Sequence, residues 1–379
     1  MLETKLKVRV GNLFDSEGQT LVNTVNCVGV MGAGIALEFK ERFPEMFEDY
    51  VERCKKGEVK LGRPYYYPLL YPPSILNFPT KDHWRSVSRL KDIVKGLEYL
   101  EKHYEEWGIT SLAVPPLGCG QGQLEWRVVG PTLYRHLSRL NIPIELYAPY
   151  GTPALELEES FLAQPVTGES VDRLTVGPSK INPAWVALVG ILARIKREPF
   201  HWPVGRTMFQ KIAYFATAKG IPTGLRYGRS SYGPFAGELK SLTTRLVNHG
   251  LIQEERLGRM FSVKPGPTYQ DAAEAYQTQI RQWDEPIEQI TDLFLRMQTN
   301  QAEVAATVYF AAQELMNDGK PRPSELDVLD AVKQWKQKRR PPLKDEDIAV
   351  SIRNLNLLGW LELVPSQRLP LPERELVDA

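Results

Sequence analysis

Two glycine-rich segments hold the residues best suited to chemistry in this chain. The first reads Val22-Asn23-Thr24-Val25-Asn26-Cys27-Val28-Gly29-Val30-Met31-Gly32-Ala33-Gly34-Ile35-Ala36. A strand signal runs into a loop with three glycines, and a helix signal follows. Glycine lets a backbone approach an anion closely. The helix N-terminus adds free N–H groups and a favourable dipole. A diphosphate suits such a loop, although a tight turn with no ligand explains the same residues. Neither the GxGxxG of dinucleotide folds nor the GK[ST] of the Walker loop is present. The second segment, Pro115-Pro116-Leu117-Gly118-Cys119-Gly120-Gln121-Gly122-Gln123-Leu124, again joins a buried strand to a helix. Two such loops at equivalent strand ends can hold one diphosphate from both sides. Ligands of open α/β sheets lie beyond the carboxyl ends of the strands.

Other residues with chemical potential are weaker signals. Asn26 can hold a ribose hydroxyl or simply brace its loop. His83 has no carboxylate partner visible in sequence. Glu125 follows the second loop, where an acidic residue usually complements a helix N-terminus. Cys119, between two glycines, reads as a small buried filler rather than a nucleophile. The three cysteines, Cys27, Cys54 and Cys119, form no CxxC pair. That spacing opposes a disulfide scaffold or structural zinc, and a reducing cytoplasm fits. No metal and no cofactor are expected. The 379 residues are 42% hydrophobic and 25% charged, with a net charge of +1. Two or three soluble domains are therefore expected, without a global basic field for nucleic acid. No signal core or membrane-length apolar run is present.

The elements that must position the loops alternate over the first 150 residues. Strands are expected at Leu6–Val10, Leu21–Asn26, Pro64–Pro68, Ser74–Phe78, Leu112–Pro115 and Ile142–Tyr147. Helices are expected from Ile35 to Phe43, Ser88 to Trp107 and Leu124 to Leu140. Ile93, Leu97, Leu100 and Tyr104 give the second helix one apolar face. Such alternation implies an α/β fold, a mixed or parallel sheet with helices on both faces. Residues 151–178 read as a linker with a short helix, rich in Pro and Gly and carrying an acidic run.

Residues 179–379 read as a mostly helical domain with a weak internal echo. Tyr214-Phe215-Ala216 precedes Leu246–Ile252, and Tyr309-Phe310-Ala311 precedes Leu355–Leu361. In each unit a helix ends near Gly and runs into a short strand, Leu251–Glu255 and then Trp360–Val364. After the first, Met260–Val263 can return as a hairpin. Two winged-helix-like units and two ordinary helix-hairpin corners explain this equally well. Arg226, Tyr227, Arg229 and Tyr232 form a basic and aromatic cluster suited to a nucleic acid or an acidic partner, or to a solvated loop. Lys336–Arg340 reads as a solvated helix end.

The order Gly11-Asn12-Leu13, Asn23 and Asn26, Met31-Gly32-Ala33-Gly34-Ile35-Ala36, then Gly118-Cys119-Gly120 resembles the macrodomain family over Lys5–Tyr150. That resemblance implies a three-layer fold around a mixed sheet and ADP-ribose as ligand. Its binding residues would be Asn12, Leu13, Asn23, Thr24, Asn26, Met31, Gly32, Ala33, Gly34, Ile35, Leu117, Gly118, Cys119, Gly120, Gln121 and Gly122. Asn77-Phe78-Pro79-Thr80-Lys81-Asp82-His83-Trp84-Arg85 looks like the branch of the terminal ADP-ribose glycohydrolase and the DarG antitoxins. With a long helical C-terminal part, the chain is most similar to the DarG family.

This resemblance implies an antitoxin. Its macrodomain would remove ADP-ribose from thymidine in single-stranded DNA, and its C-terminal domain would neutralise a DarT-type ADP-ribosyltransferase toxin. It also makes Lys81 the catalytic residue. A neutral amine can attack the anomeric carbon, which requires burial or nearby cations such as Arg85. A charged amine can instead steady the leaving base. His83, Trp84 and Arg85 would meet the base, with Trp84 stacking on it or anchoring a core. Two positions depart from the pattern. Asn12 stands where macrodomains carry an adenine-binding Asp, and Gly122 where the terminal glycohydrolase carries an acid. A different outcome is a non-catalytic ADP-ribose reader fused to a winged-helix DNA-binding regulator.

Overall fold

The strand signals become one six-stranded sheet in the computed structural model, which describes residues 5–164, 181–258, 260–319 and 321–370. The strands are β1 (Leu6–Val10), β2 (Thr20–Asn26), β3 (Tyr65–Tyr67), β4 (Ser74–Lys81), β5 (Leu112–Val114) and β6 (Ile144–Ala148). Their order is β1-β6-β5-β2-β4-β3. Only β3 runs antiparallel to its neighbour, so the sheet is mixed.

Side chains alternate across a strand, and here both faces are covered. Val22, Leu76, Phe78, Val114 and Leu146 pack on one face with α3 (Leu90–His103) and α4 (Trp126–Leu137). Leu21, Val25, Ile75, Ala113 and Tyr147 pack on the other with α1 (Gly34–Arg42) and α2 (Pro44–Lys55). This is the expected three-layer α/β arrangement. Ile93, Leu97 and Leu100 of α3 are buried, as their spacing requires. The helix expected over Ile35–Phe43 is α1, and a second helix that was not expected, α2, follows it. Pro44 takes the first turn of α2, where its missing N–H leaves no bond unmade.

The strand expected over Ser74–Phe78 runs further than expected. β4 continues through Pro79 to Lys81. Of the expected linker, residues 165–178 lie outside the described residues. Residues 151–164 carry a 3-10 turn, Ala154–Glu156, and α5 (Glu159–Leu162). Leu162 is buried in the first core cluster, and Trp126 donates from Nε1 to the Glu156 carbonyl.

The chain divides into two compact units, residues 1–180 with 240–249, and residues 181–239 with 250–379. The first unit is thus discontinuous in sequence, whereas the sequence reading placed residues 240–249 in a C-terminal domain. The helices α6 (Pro183–Arg197) and α7 (Arg206–Ala218) and the short strands β7 (Gly228–Ser230) and β8 (Gly233–Phe235) belong to the second unit. Next comes α8 (Glu238–Asn248), most of which clusters with the first unit. The second unit resumes with β9 (Ile252–Leu257) and β10 (Met260–Pro265), the expected hairpin. It ends with α9 (Tyr269–Ala275), α10 (Gln277–Ile280), α11 (Asp284–Leu295), α12 (Thr299–Asn317), α13 (Glu325–Lys336) and α14 (Asp345–Leu357).

The echoed motifs pack on each other. Phe215 of α7 lies 5.1 Å from Tyr309 of α12 and 5.1 Å from Trp360, ring centroid to centroid. No strand forms over Trp360–Val364. Leu363 N–H instead bonds the Asn356 side chain, and Val364 makes one isolated parallel bridge to Ser324. The basic and aromatic cluster disperses too. Arg229 pairs with Glu314, and Tyr227 packs on Tyr214. Among the described residues, no helix is long and apolar enough to cross a membrane.

Candidate active site

β5, β2 and β4 are neighbours in the sheet and run parallel, so their carboxyl ends lie side by side. The first glycine loop leaves β2, the second leaves β5, and Lys81 ends β4. Between them lies a cleft of about 540 Å³. Topology alone therefore assembles three distant sequence segments at one rim.

The cleft takes in Thr24, Asn26, Gly32, Ala33, Gly34 and Ile35 from the first loop region. Gly118, Gly120, Gln121 and Gly122 come from the second, and Lys81 and Trp84 from the end of β4 and beyond. Six lining residues were not singled out from sequence: Val25, Val30, Ala36, Thr80, Pro115 and Pro116. They are apolar or small neighbours of the loops, and only adjacency marked them.

Asn26 braces the first loop. Its Oδ1 accepts from the Val28 and Val30 N–H groups at 3.0 and 3.4 Å, and its Nδ2 donates to the Val30 carbonyl. Buried Tyr50 donates to the Asn26 carbonyl at 2.8 Å, fixing this turn from behind. Gly34 sits at φ +58°, and a Cβ there would meet nothing within 4 Å, because it would point into open space. In the second loop Gly118 lies at φ +78°, and Leu124 crowds the place of its missing Cβ at 2.8 Å.

Gly122 has no room for a side chain. A Cβ there would lie 2.3 Å from the Gly118 carbonyl oxygen and 2.3 Å from Ser88 Oγ. No side chain fits without moving backbone.

Lys81 lies opposite Asn26 in the β2–β4 register, just after an irregularity between Val25 and Asn26. The side chain is 8% exposed, and its Nζ donates to the Gln121 carbonyl at 2.5 Å. Among the described residues lining the cleft, Lys81 alone is ionisable. One lysine amid glycine backbone suits an anionic ligand, and the lining offers no carboxylate for acid–base work.

At the mouth, Trp84 is 47% exposed. The Arg85 guanidinium lies 4.4 Å from the Trp84 ring centroid, and the His83 ring stacks on Trp84 at 5.6 Å. Only Trp84 of these three lines the cleft.

Several expected ligand residues lie outside the cleft lining. Asn12 caps the 3-10 turn Leu13–Asp15, its side chain accepting from the Phe14 N–H at 3.2 Å. Asn23 is buried and donates to Asn77 Oδ1 at 2.9 Å. Leu13, Met31 and Leu117 are core residues. Cys119 packs beside the core, and burial pushes its thiol up to about 12, which removes it as a nucleophile. Burial likewise pushes the Cys27 thiol up to about 12. Glu125 precedes the first residue of α4 and pairs with Arg245.

Residues 22–133 match the Macro domain family. A Thermus aquaticus protein described as a DNA ADP-ribosyl glycohydrolase is 33% identical over 310 residues, 80% of this chain and 81% of that one. A DNA ADP-ribosyl transferase-DNA ADP-ribosyl glycohydrolase fusion protein of Thermosipho africanus is 39% identical over 181 residues, 42% of this chain and 47% of that one. The solved macrodomain of Thermus aquaticus DarG is 42% identical, covering 38% of this chain and 98% of its own, with a TM-score of 0.37. The chain belongs to the DarG family of DNA ADP-ribosyl glycohydrolases, with a macro domain in its first unit.

Proposed function

We propose that this chain hydrolyses the N-glycosidic bond between ADP-ribose and thymidine in single-stranded DNA. The observation that carries this reading is Lys81, the one ionisable residue among the described residues lining a cleft between two glycine loops. The loop backbones and the start of α1 receive the diphosphate. That seats the distal ribose toward the end of β4, where Lys81 meets its anomeric carbon. Trp84, exposed at the mouth, offers a face for the unpaired base.

Two proton routes suit one lysine. In the first, the neutral amine forms a C–N bond to the anomeric carbon while the bond to thymine breaks. Thymine leaves with the electron pair and takes up the proton that the amine loses. The ribose ring opens to an imine, and water hydrolyses it to release ADP-ribose and the amine. In the second, charged Lys81 donates its proton to the departing base while water attacks. Borohydride distinguishes them, because only the first leaves a reducible imine on Lys81.

The test is Lys81→Ala on an ADP-ribosylated single-stranded oligonucleotide. The variant is expected to bind ADP-ribose and to release none from DNA. If wild type and variant hydrolyse equally slowly, the enzyme reading fails and a non-catalytic reader remains.

The second unit is proposed to hold and neutralise a DarT-type ADP-ribosyltransferase toxin. The relative in which transferase and glycohydrolase are fused supports this pairing. Failure of the full chain to co-purify with such a transferase encoded beside it would overturn this part.

A further inference from the structure

We infer that Asn248, assisted by Arg245, is a positioning residue that holds the second glycine loop against Lys81. This rests on the glycohydrolase reading above. Both residues lie on the part of α8 that belongs to the first unit.

Asn248 bonds on both sides of one backbone corner. Its Oδ1 accepts from the Leu90 N–H at 3.0 Å, and its Nδ2 donates to the Ser88 carbonyl at 3.2 Å. Leu90 opens α3, whose own preceding residue, Arg89, supplies no side-chain cap. A residue 158 positions away in sequence therefore caps this helix. Ser88 is fully buried, and its N–H donates to the Gly122 carbonyl at 3.3 Å. The adjoining Gln121 carbonyl accepts from Lys81. A continuous path thus runs from Asn248 through Ser88 and Gly122 to the Lys81 amine. Arg245 holds the far side of the same loop through its ion pair with Glu125, three residues beyond Gly122.

The role is not simple helix capping, and one substitution separates the two. In Asn248→Asp a carboxylate still accepts from Leu90 N–H and suits the helix N-terminus. It cannot donate to the Ser88 carbonyl. Asn248→Asp also gives up the Nδ2 bond to the Thr244 carbonyl at 2.8 Å within α8, and Asn248→Ala loses the Leu90 bond as well.

The experiment uses the full chain with an ADP-ribosylated oligonucleotide for kcat and KM, and free ADP-ribose by calorimetry for Kd. Both variants are expected to lose about tenfold in kcat, less than the roughly hundredfold of a full 1 Å misplacement. Asn248→Asp is expected to keep the wild-type Tm, which separates its loss from unfolding. Wild-type kcat in Asn248→Asp with loss only in Asn248→Ala reduces the residue to a helix cap and overturns the inference. Wild-type kcat in both overturns it as well. Should the wild type itself not turn over, the glycohydrolase reading is what has failed. The ADP-ribose Kd then decides: a rise in both variants supports the loop's dependence on Asn248, and unchanged values refute it.

Discussion

Adding a single methyl group at Gly122 is expected to disable the site. In Gly122→Ala the new Cβ would lie 2.3 Å from the Gly118 carbonyl oxygen, where ordinary contact begins at 3.4 Å. The shortfall, 3.4 minus 2.3, is about 1.1 Å. Little can yield. The Gly118 carbonyl accepts from Leu124 N–H at 3.0 Å, and Ser88, also 2.3 Å away through its Oγ, is fully buried. The strain is that of overpacking, about 1–3 kcal/mol in stability. Function suffers more, because the Gln121 carbonyl that meets Lys81 moves with its neighbour. A displacement near 1 Å at a reacting group lowers a rate by about a hundredfold. The assay is single-turnover release of ADP-ribose from an ADP-ribosylated single-stranded oligonucleotide, with Tm measured alongside. Gly122→Asp should behave like Gly122→Ala or worse, since its carboxylate must grow from the same blocked Cβ. A wild-type rate in Gly122→Ala, or a faster rate in Gly122→Asp, would refute the steric account of Gly122.

Trp84→Ala should weaken binding of the ADP-ribosylated oligonucleotide by the roughly 1–3 kcal/mol of one base stack, while free ADP-ribose binds as before; parallel titrations of the two ligands check this. Gly34→Val places a β-branched residue at φ +58° and fills the open space there. Its αL strain of about 1–2 kcal/mol should appear in denaturant unfolding, together with a raised ADP-ribose Kd. In the second unit, burial pushes the Lys211 and Lys336 amines down to about 8 from 10.5. Between pH 8 and 10 the unfolded chain binds more protons at these groups, so their contribution to stability rises with pH. Above pH 10 the buried Tyr214 and Tyr227, held well above the ordinary tyrosine range by burial, reverse the trend. Unfolding of the wild type and Lys211→Met across this range checks it, and an equally steep rise in the variant would refute the assignment.

Periodicity made α3 legible and short apolar runs marked β2, β4 and β5, whereas α2 was not anticipated. The glycine loops were legible as strand-to-helix junctions, while a bare turn explained the same glycines and only the resemblance named ADP-ribose as a ligand. Sequence placed Lys81 only by resemblance. Pro79 looks like the end of a strand, and nothing local says that β4 passes through it to present Lys81 beside Asn26. Asn12, Asn23 and Met31 look alike in a motif, yet their surroundings separate them into a turn cap, a buried amide pair and a core residue. The roles of Ser88 and Asn248 had no sequence signal, since each depends on a neighbour far along the chain. The missing strand after Trp360 has a similar cause. Among the described residues, Leu363 N–H bonds the Asn356 side chain instead and Val364 bridges only Ser324.

The discontinuity of the first unit also sets an order of events during synthesis. A ribosome releases β1 through β6 long before α8, so the sheet and both glycine loops can fold while the cap on α3 is still unmade. The brace behind the second loop arrives only after α6, α7 and the β7–β8 ribbon have emerged. A nascent chain halted before α8 would carry the cleft without the contacts that Asn248 and Arg245 make to it.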